Sequence, residues 1–169
     1  MKSLLVVVDM QNDFIFGALG TKEARAILPA VKEEISSAKA AGVEIVFTRD
    51  THGENYLVTQ EGKNLPVPHC VKGTEGWRIA EGLYGGERVF DKPVFGSEEL
   101  AEFVKENAFD EVTLVGVCTD ICVVSNALLI KAKCPEVKVR LVEKACAGVT
   151  PQTHSAAIVT MRSCQVEIL

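Results

Sequence analysis

The sequence predicts an α/β fold, a parallel sheet with helices on both faces, and three observations carry that prediction. Leu4-Leu5-Val6-Val7-Val8 is an unbroken apolar run, the pattern of a strand buried on both faces. Short β-rich runs alternate with helical periodicities along the chain, and such alternation builds parallel strands joined by helical crossovers. The chain has 169 residues, 47% of them hydrophobic. That fits one domain over residues 1–169, with enough buried surface to hold a core without cross-links.

The elements follow in order. Leu4–Val8 is the first strand. From Lys22 to Ala41, residues Ile27, Val31, Ile35 and Ala38 recur at helical spacing, and Gly42 is placed to end that helix. Val43–Thr48 is the second strand. Residues 49–75 hold Gly53, Gly62, Pro66, Pro68 and Gly73 and read as one long loop, a length that tends to carry function. Glu87–Asp91 is a short third strand. Ser97 caps a helix with Glu98 and Glu99 in its first turn and Leu100, Phe103 and Val104 on its apolar face. Val112–Val117 is the fourth strand, Asp120–Lys133 a helix, Val137–Val142 the fifth strand. Thr150-Pro151 opens a last helix as N-cap and first residue, and Val166–Leu169 is a sixth strand.

Composition excludes several classes of function. The net charge is −5 and there is no Lys/Arg run, so neither nucleic acid nor an anionic membrane is a partner. No apolar stretch approaches the roughly 20 residues that span a bilayer. Met1-Lys2-Ser3 leads into a short apolar run ended by Asp9, which is not a signal peptide. Most of the six cysteines sit inside apolar segments, as reduced thiols in a cytoplasmic protein do. The P-loop and dinucleotide glycine motifs are missing, so no nucleotide cofactor is expected. Cys118 and Cys122 are too far apart for a Cys-x-x-Cys redox pair.

In a parallel α/β sheet, ligands bind beyond the carboxyl ends of the strands. Those ends carry Asp9, then Asp50 and His52, then Asp91 and Lys92, then Gly116-Val117-Cys118-Thr119 running into the helix of Cys122. A cysteine at a helix start is held toward the thiolate by the macrodipole. The N–H groups of Cys118 and Cys122 could face an oxyanion, Asp9 could accept the thiol proton, and Lys92 could orient Asp9. Asp50-x-His52 puts a carboxylate and an imidazole on one side of an extended segment. His69 could complete a metal set and Glu61 could be a fourth contact, for Zn²⁺ or for Fe²⁺ or Mn²⁺. His154 reads as an ordinary helix-surface residue.

Asp9-Met10-Gln11-Asn12-Asp13-Phe14, Lys92 and Gly116-Val117-Cys118-Thr119-Asp120-Ile121-Cys122-Val123 together resemble the signatures of the isochorismatase-like cysteine hydrolases. Thr48-Arg49-Asp50-Thr51-His52 and Pro68-His69-Cys70-Val71-Lys72-Gly73-Thr74-Glu75-Gly76 resemble the nicotinamidase branch. The resemblance runs from about Leu4 to the last residue. It implies a three-layer α/β/α sandwich on a mainly parallel six-stranded sheet and the catalytic set Asp9, Lys92 and Cys122. It also implies a cis peptide between Val117 and Cys118, an oxyanion hole from Cys118 and Cys122, a divalent metal on Asp50, His52 and His69, and a homodimer or homotetramer. The implied reaction is nicotinamide to nicotinate and ammonia. Thr51 stands where nicotinamidases often carry Trp, which leaves Phe14 and Trp77 as the large side chains to wall a pyridine pocket. Three alternatives stay open at this point: another small amide, N-carbamoyl or ureido substrate; a metal-bound water as nucleophile; and a thiol redox protein without hydrolase activity.

Overall fold

The computed structural model describes residues 1–169. Six parallel strands form one sheet: β1 (Ser3–Val8), β2 (Glu44–Asp50), β3 (Arg88–Lys92), β4 (Glu111–Val117), β5 (Lys138–Ala147) and β6 (Glu167–Ile168), in the order β3-β2-β1-β4-β5-β6. The chain fills one side of β1 with β2 and β3, then crosses to the other side with β4. The switch point therefore lies between β1 and β4, where crevices open in sheets of this type.

Side chains alternate across the sheet and divide the core in two. Leu4, Val6, Val8, Val46, Phe90, Val112 and Leu114 pack under α5 (Glu98–Glu106), α6 (Val124–Lys133) and α7 (Pro151–Ser163). Leu5, Val7, Ile45, Phe47 and Val115 pack under α1 (Asn12–Ile15), α2 (Lys22–Ala26) and α3 (Leu28–Ala40). The result is the three-layer sandwich. No helix is long and apolar enough to cross a membrane. All six cysteines are free.

Four stretches differ from the sequence reading. The helix over Lys22–Ala41 is two helices that meet at Ile27, because Pro29 has no N–H to continue the ladder and its ring crowds the carbonyl one turn back. The loop 49–75 contains a 3₁₀ turn, Tyr56–Val58, and α4 (Gln60–Asn64), capped by Thr59 Oγ1, which accepts from the Gly62 N–H at 3.0 Å. A Cβ at Gly62 would stand 2.0 Å from the Tyr56 carbonyl oxygen, so only glycine lets the two turns stack. β5 runs on to Ala147 through a bulge opposite Leu114–Gly116, and the polar pair Glu143-Lys144 hides this continuation from the apolar pattern. The helix over Asp120–Lys133 starts as a π-helical turn, Thr119–Val123, before α6 begins.

Candidate active site

Asp9 is the first residue beyond β1. Its backbone turns left-handed, with φ 47°, a conformation Asp tolerates better than most side chains. Its N–H donates to the Thr48 carbonyl at 3.2 Å, and Thr48 Oγ1 donates to Asp9 Oδ1 at 2.7 Å. The other oxygen, Oδ2, lies 2.7 Å from Lys92 Nζ but off the direction of a hydrogen bond.

Lys92 ends β3 and is 1% exposed. Thr48, Asp50 and Lys92 share the alternation of Val46 and Phe90 and so point to the α5–α6 side of the sheet. Besides Asp9, the ammonium reaches the Val94 carbonyl at 3.2 Å, Asp50 Oδ1 at 3.4 Å and Cys122 Sγ at 3.5 Å. One buried cation thus joins two carboxylates and a thiol that lie far apart in sequence.

Cys122 sits in the π turn, where the Val123 N–H reaches back to the Cys118 carbonyl at 3.1 Å. The Val117–Cys118 peptide is cis. The Cys118 N–H donates to no group of the protein. A Cβ at Gly116 would meet the Val8 carbonyl oxygen at 2.2 Å, so glycine there lets β4 close on β1 just before this turn. Asn126, one turn later, donates to the Cys122 carbonyl at 2.8 Å and accepts the Ser97 N–H at 3.0 Å.

The electrostatics reverse one expectation. Burial pushes the Cys122 thiol up, and the Asp9 charge pushes it further, against a smaller opposing effect of Lys92. Burial also raises Asp9, with the Lys92 charge opposing. Burial works against the Lys92 ammonium, yet the charges of Asp9, Cys122 and Asp50 more than offset it and raise its pKa. Burial thus favours the neutral forms of Cys122 and Asp9, while the surrounding negative charges favour the Lys92 ammonium.

A second cluster adjoins the first. Asp50, His52, Glu61 and His69 each offer one ligand atom, all within 4.8 Å of one another. Asp50 divides its oxygens between the clusters: Oδ1 faces Lys92, while Oδ2 lies 2.9 Å from His52 Nε2 and 3.4 Å from His69 Nε2. The His69 ring places Nδ1 2.8 Å from the Val67 carbonyl, which calls for a proton on Nδ1 and leaves the Nε2 lone pair facing the carboxylates. Such an outer contact is the usual way to aim a metal-binding imidazole. Glu61 Oε1 lies 3.7 Å from His52 Nε2 and 3.6 Å from His69 Nε2. Two imidazoles and two carboxylates converging in this way fit a divalent cation.

A model of the isochorismatase domain family matches residues 3–169. The chain belongs to the isochorismatase family. It is 31% identical to the nicotinamidase/pyrazinamidase of Mycobacterium tuberculosis, in an alignment spanning 98% of this chain and 97% of that protein. Its fold matches the crystal structure of the pyrazinamidase of Pyrococcus horikoshii in complex with zinc, with a TM-score of 0.88 and 32% identity over 100% of this chain and 99% of that one. The N-carbamoylsarcosine amidase of Thermoplasma acidophilum matches with a TM-score of 0.83 and 26% identity, over 99% and 95% of the two chains.

Within this isochorismatase-family site, Phe14 stands against the cluster of Asp50, His52, Glu61 and His69, its ring centroid 5.6 Å from that of His69. Trp77 lies elsewhere. Its indole N–H donates to Thr51 Oγ1 at 2.9 Å, and the Arg49 guanidinium stacks 3.5 Å from its ring centroid. Arg49 and Thr51 alternate to the face opposite Asp50 and Lys92, so Trp77 packs behind the sheet. His154 is not a plain surface residue either: its Nδ1 lies 2.8 Å from Thr119 Oγ1. Several supporting residues escaped the sequence reading. Gln11 accepts the Asp50 N–H at 2.7 Å and donates to the Asp50 carbonyl at 2.8 Å, acting as a strand partner. Asp13 Oδ2 accepts the Cys70 N–H at 2.8 Å and so holds the residue after His69. Tyr56 packs edge-on against both imidazoles, at 4.8 and 5.0 Å. Gln11 and Asp13 stand inside the first motif, and their place there was the available signal. Tyr56 left none.

Proposed function

We propose that the chain hydrolyses nicotinamide to nicotinate and ammonia through a thioester on Cys122. The chain is a hydrolase of carbon–nitrogen amide bonds. The observation that carries the finer reading is the Lys92 ammonium, held within 2.7 Å of Asp9 Oδ2 and 3.5 Å of Cys122 Sγ. It joins a proton acceptor to a nucleophile in a site that water barely reaches.

Because the resting group is a thiol, the thiolate forms only when Asp9 takes its proton, and Lys92 stabilises the new negative charge. The thiolate attacks the carboxamide carbon and the carbonyl oxygen becomes an oxyanion, facing the N–H groups of Cys118 and Cys122. Asp9 returns the proton to the nitrogen as ammonia leaves. Water, deprotonated by Asp9, then cleaves the thioester and restores the thiol. Asp50, His52, Glu61 and His69 would hold the metal, with zinc favoured by the zinc-bound relative, and the ion would supply a Lewis-acid anchor for the ring nitrogen of the substrate. Phe14 would flank the ring.

A second reading keeps the same chemistry with an N-carbamoyl or ureido substrate. The likeness to an N-carbamoylsarcosine amidase favours it. One experiment tests both. Ammonia release is measured over nicotinamide, pyrazinamide and an N-carbamoyl amino acid, with and without chelator, and the quenched protein is analysed by mass spectrometry. The proposal expects release from nicotinamide and a nicotinoyl adduct on Cys122. Release confined to the carbamoyl compound selects the second reading, and turnover with an unmodified Cys122 overturns the thioester.

A further inference from the structure

The π turn that carries Cys122 is tied to the start of α7. Thr119, next to Cys118, is fully buried, and a buried hydroxyl without a partner is costly. Its side-chain hydrogen bond is to His154 Nδ1, at 2.8 Å. The other ring nitrogen, Nε2, lies 3.7 Å from Glu143 Oε1. A carboxylate beside Nε2 favours the proton there, which leaves Nδ1 to accept the Thr119 hydroxyl proton. The next residue is tied to the same segment, since Asp120 Oδ1 accepts the Val149 N–H at 3.1 Å. Gly148 makes this approach feasible, because a Cβ there would meet the His154 backbone nitrogen at 2.9 Å.

We propose that His154 is a positioning residue for amide hydrolysis, fixing through Thr119 the turn that presents the Cys118 N–H and the Cys122 thiol. The inference rests on the reading of Cys122 as nucleophile. A π turn is irregular helix that persists where its surroundings hold it, and its first two residues, Thr119 and Asp120, are held by His154 of α7 and by Val149 just before it. A displacement of about 1 Å at the reacting atoms is enough to cost about 100-fold in rate. Substrate affinity, by contrast, depends on the pocket around Phe14 and the metal cluster.

The test compares nicotinamide hydrolysis by the unmodified chain with His154→Leu, His154→Asn, Thr119→Val and the double variant His154→Leu/Thr119→Val. His154→Leu should lower kcat roughly 10- to 100-fold with KM changed less than about twofold. His154→Asn, which keeps an acceptor near the Nδ1 position, should recover most of that loss. The double variant should be no slower than the slower single variant, because both changes remove one bond. An unchanged kcat in His154→Leu, a loss that Asn does not recover, or losses that multiply in the double variant each overturn the proposal. If His154→Leu does not fold, Thr119→Val and His154→Asn decide it by the same kcat comparison. If the unmodified chain releases no ammonia, the reaction is wrong on its own account. The rate of Cys122 alkylation by iodoacetamide in the same chains then decides the positioning role, with a change in the variants supporting it and equal rates overturning it.

Discussion

The two halves of the site are built differently. Asp9 and Lys92 stand at or just beyond the ends of β1 and β3, where ladder hydrogen bonds set the backbone, and Cys122 stands in the π turn that follows β4. His52, Glu61 and His69 stand on the chain between β2 and β3, held by local devices: the Thr59 cap, the Asp13 clamp on Cys70, the Val67 carbonyl on His69 and the short pairing of His52 with Val71. Asp50 belongs to both. A sheet edge fixes groups that must meet within hydrogen-bond reach during bond making, while a loop with its own turns can be remodelled to suit a ligand without disturbing them. On the proposed function, chemistry belongs to the strand ends and substrate choice to the loop.

Removing the nucleophile should give the largest effect. Cys122→Ala is expected to lower turnover by about four to six orders of magnitude, with substrate still binding; calorimetric titration and ammonia release check both. Lys92→Met should remove activity and also cost about 3–5 kcal/mol of stability, because the buried Asp9 and Asp50 lose the cation that pairs with both. Denaturant unfolding measures that loss. On the loop side, Asp13→Ala frees the Cys70 N–H and should weaken metal binding about 10- to 100-fold while Cys122 alkylation keeps its rate. If alkylation falls in step with metal affinity, the two halves are not separable.

The pH dependence sharpens the strand-end half. Asp9 must be ionised to take the thiol proton, and burial raises it above its ordinary 3.8. The acid limb of kcat/KM should then lie above the ordinary carboxylate range, with activity falling as pH falls through it. A limb at or below 3.8 would remove Asp9 as the base. The smallest effect belongs to the far face of the sheet. Trp77→Phe loses one hydrogen bond to Thr51 and should cost about 1 kcal/mol of stability with turnover unchanged; a raised KM would return Trp77 to the pocket.

The fold and the strand-end half were legible in the sequence because apolar strand runs alternate with helical periodicities and the polar residues that end those runs stand out. An apolar strand that stops at Asp9, Asp50 or Lys92 announces both where it ends and which side chain stands there. The loop half was legible only as ligand types, Asp50, His52, Glu61 and His69. The parts that aim those ligands, such as Tyr56 packed on both imidazoles and Gly62 under the Tyr56 carbonyl, leave no periodicity to read.

The sequence by itself determined the layer order, the parallel sheet and the list of reactive side chains, since all three are written in local patterns. Tertiary structure alone decided three other matters. Burial beside Asp9 keeps Cys122 a thiol, against what its place at a helix start implies. Sheet alternation sends Trp77 to the face opposite Asp50 and Lys92. Packing of α7 on the π turn makes His154 a partner of Thr119. The physical reason is common to all three: desolvation, facing and long-range hydrogen bonding depend on which distant segments arrive at a residue, and no local pattern carries that information.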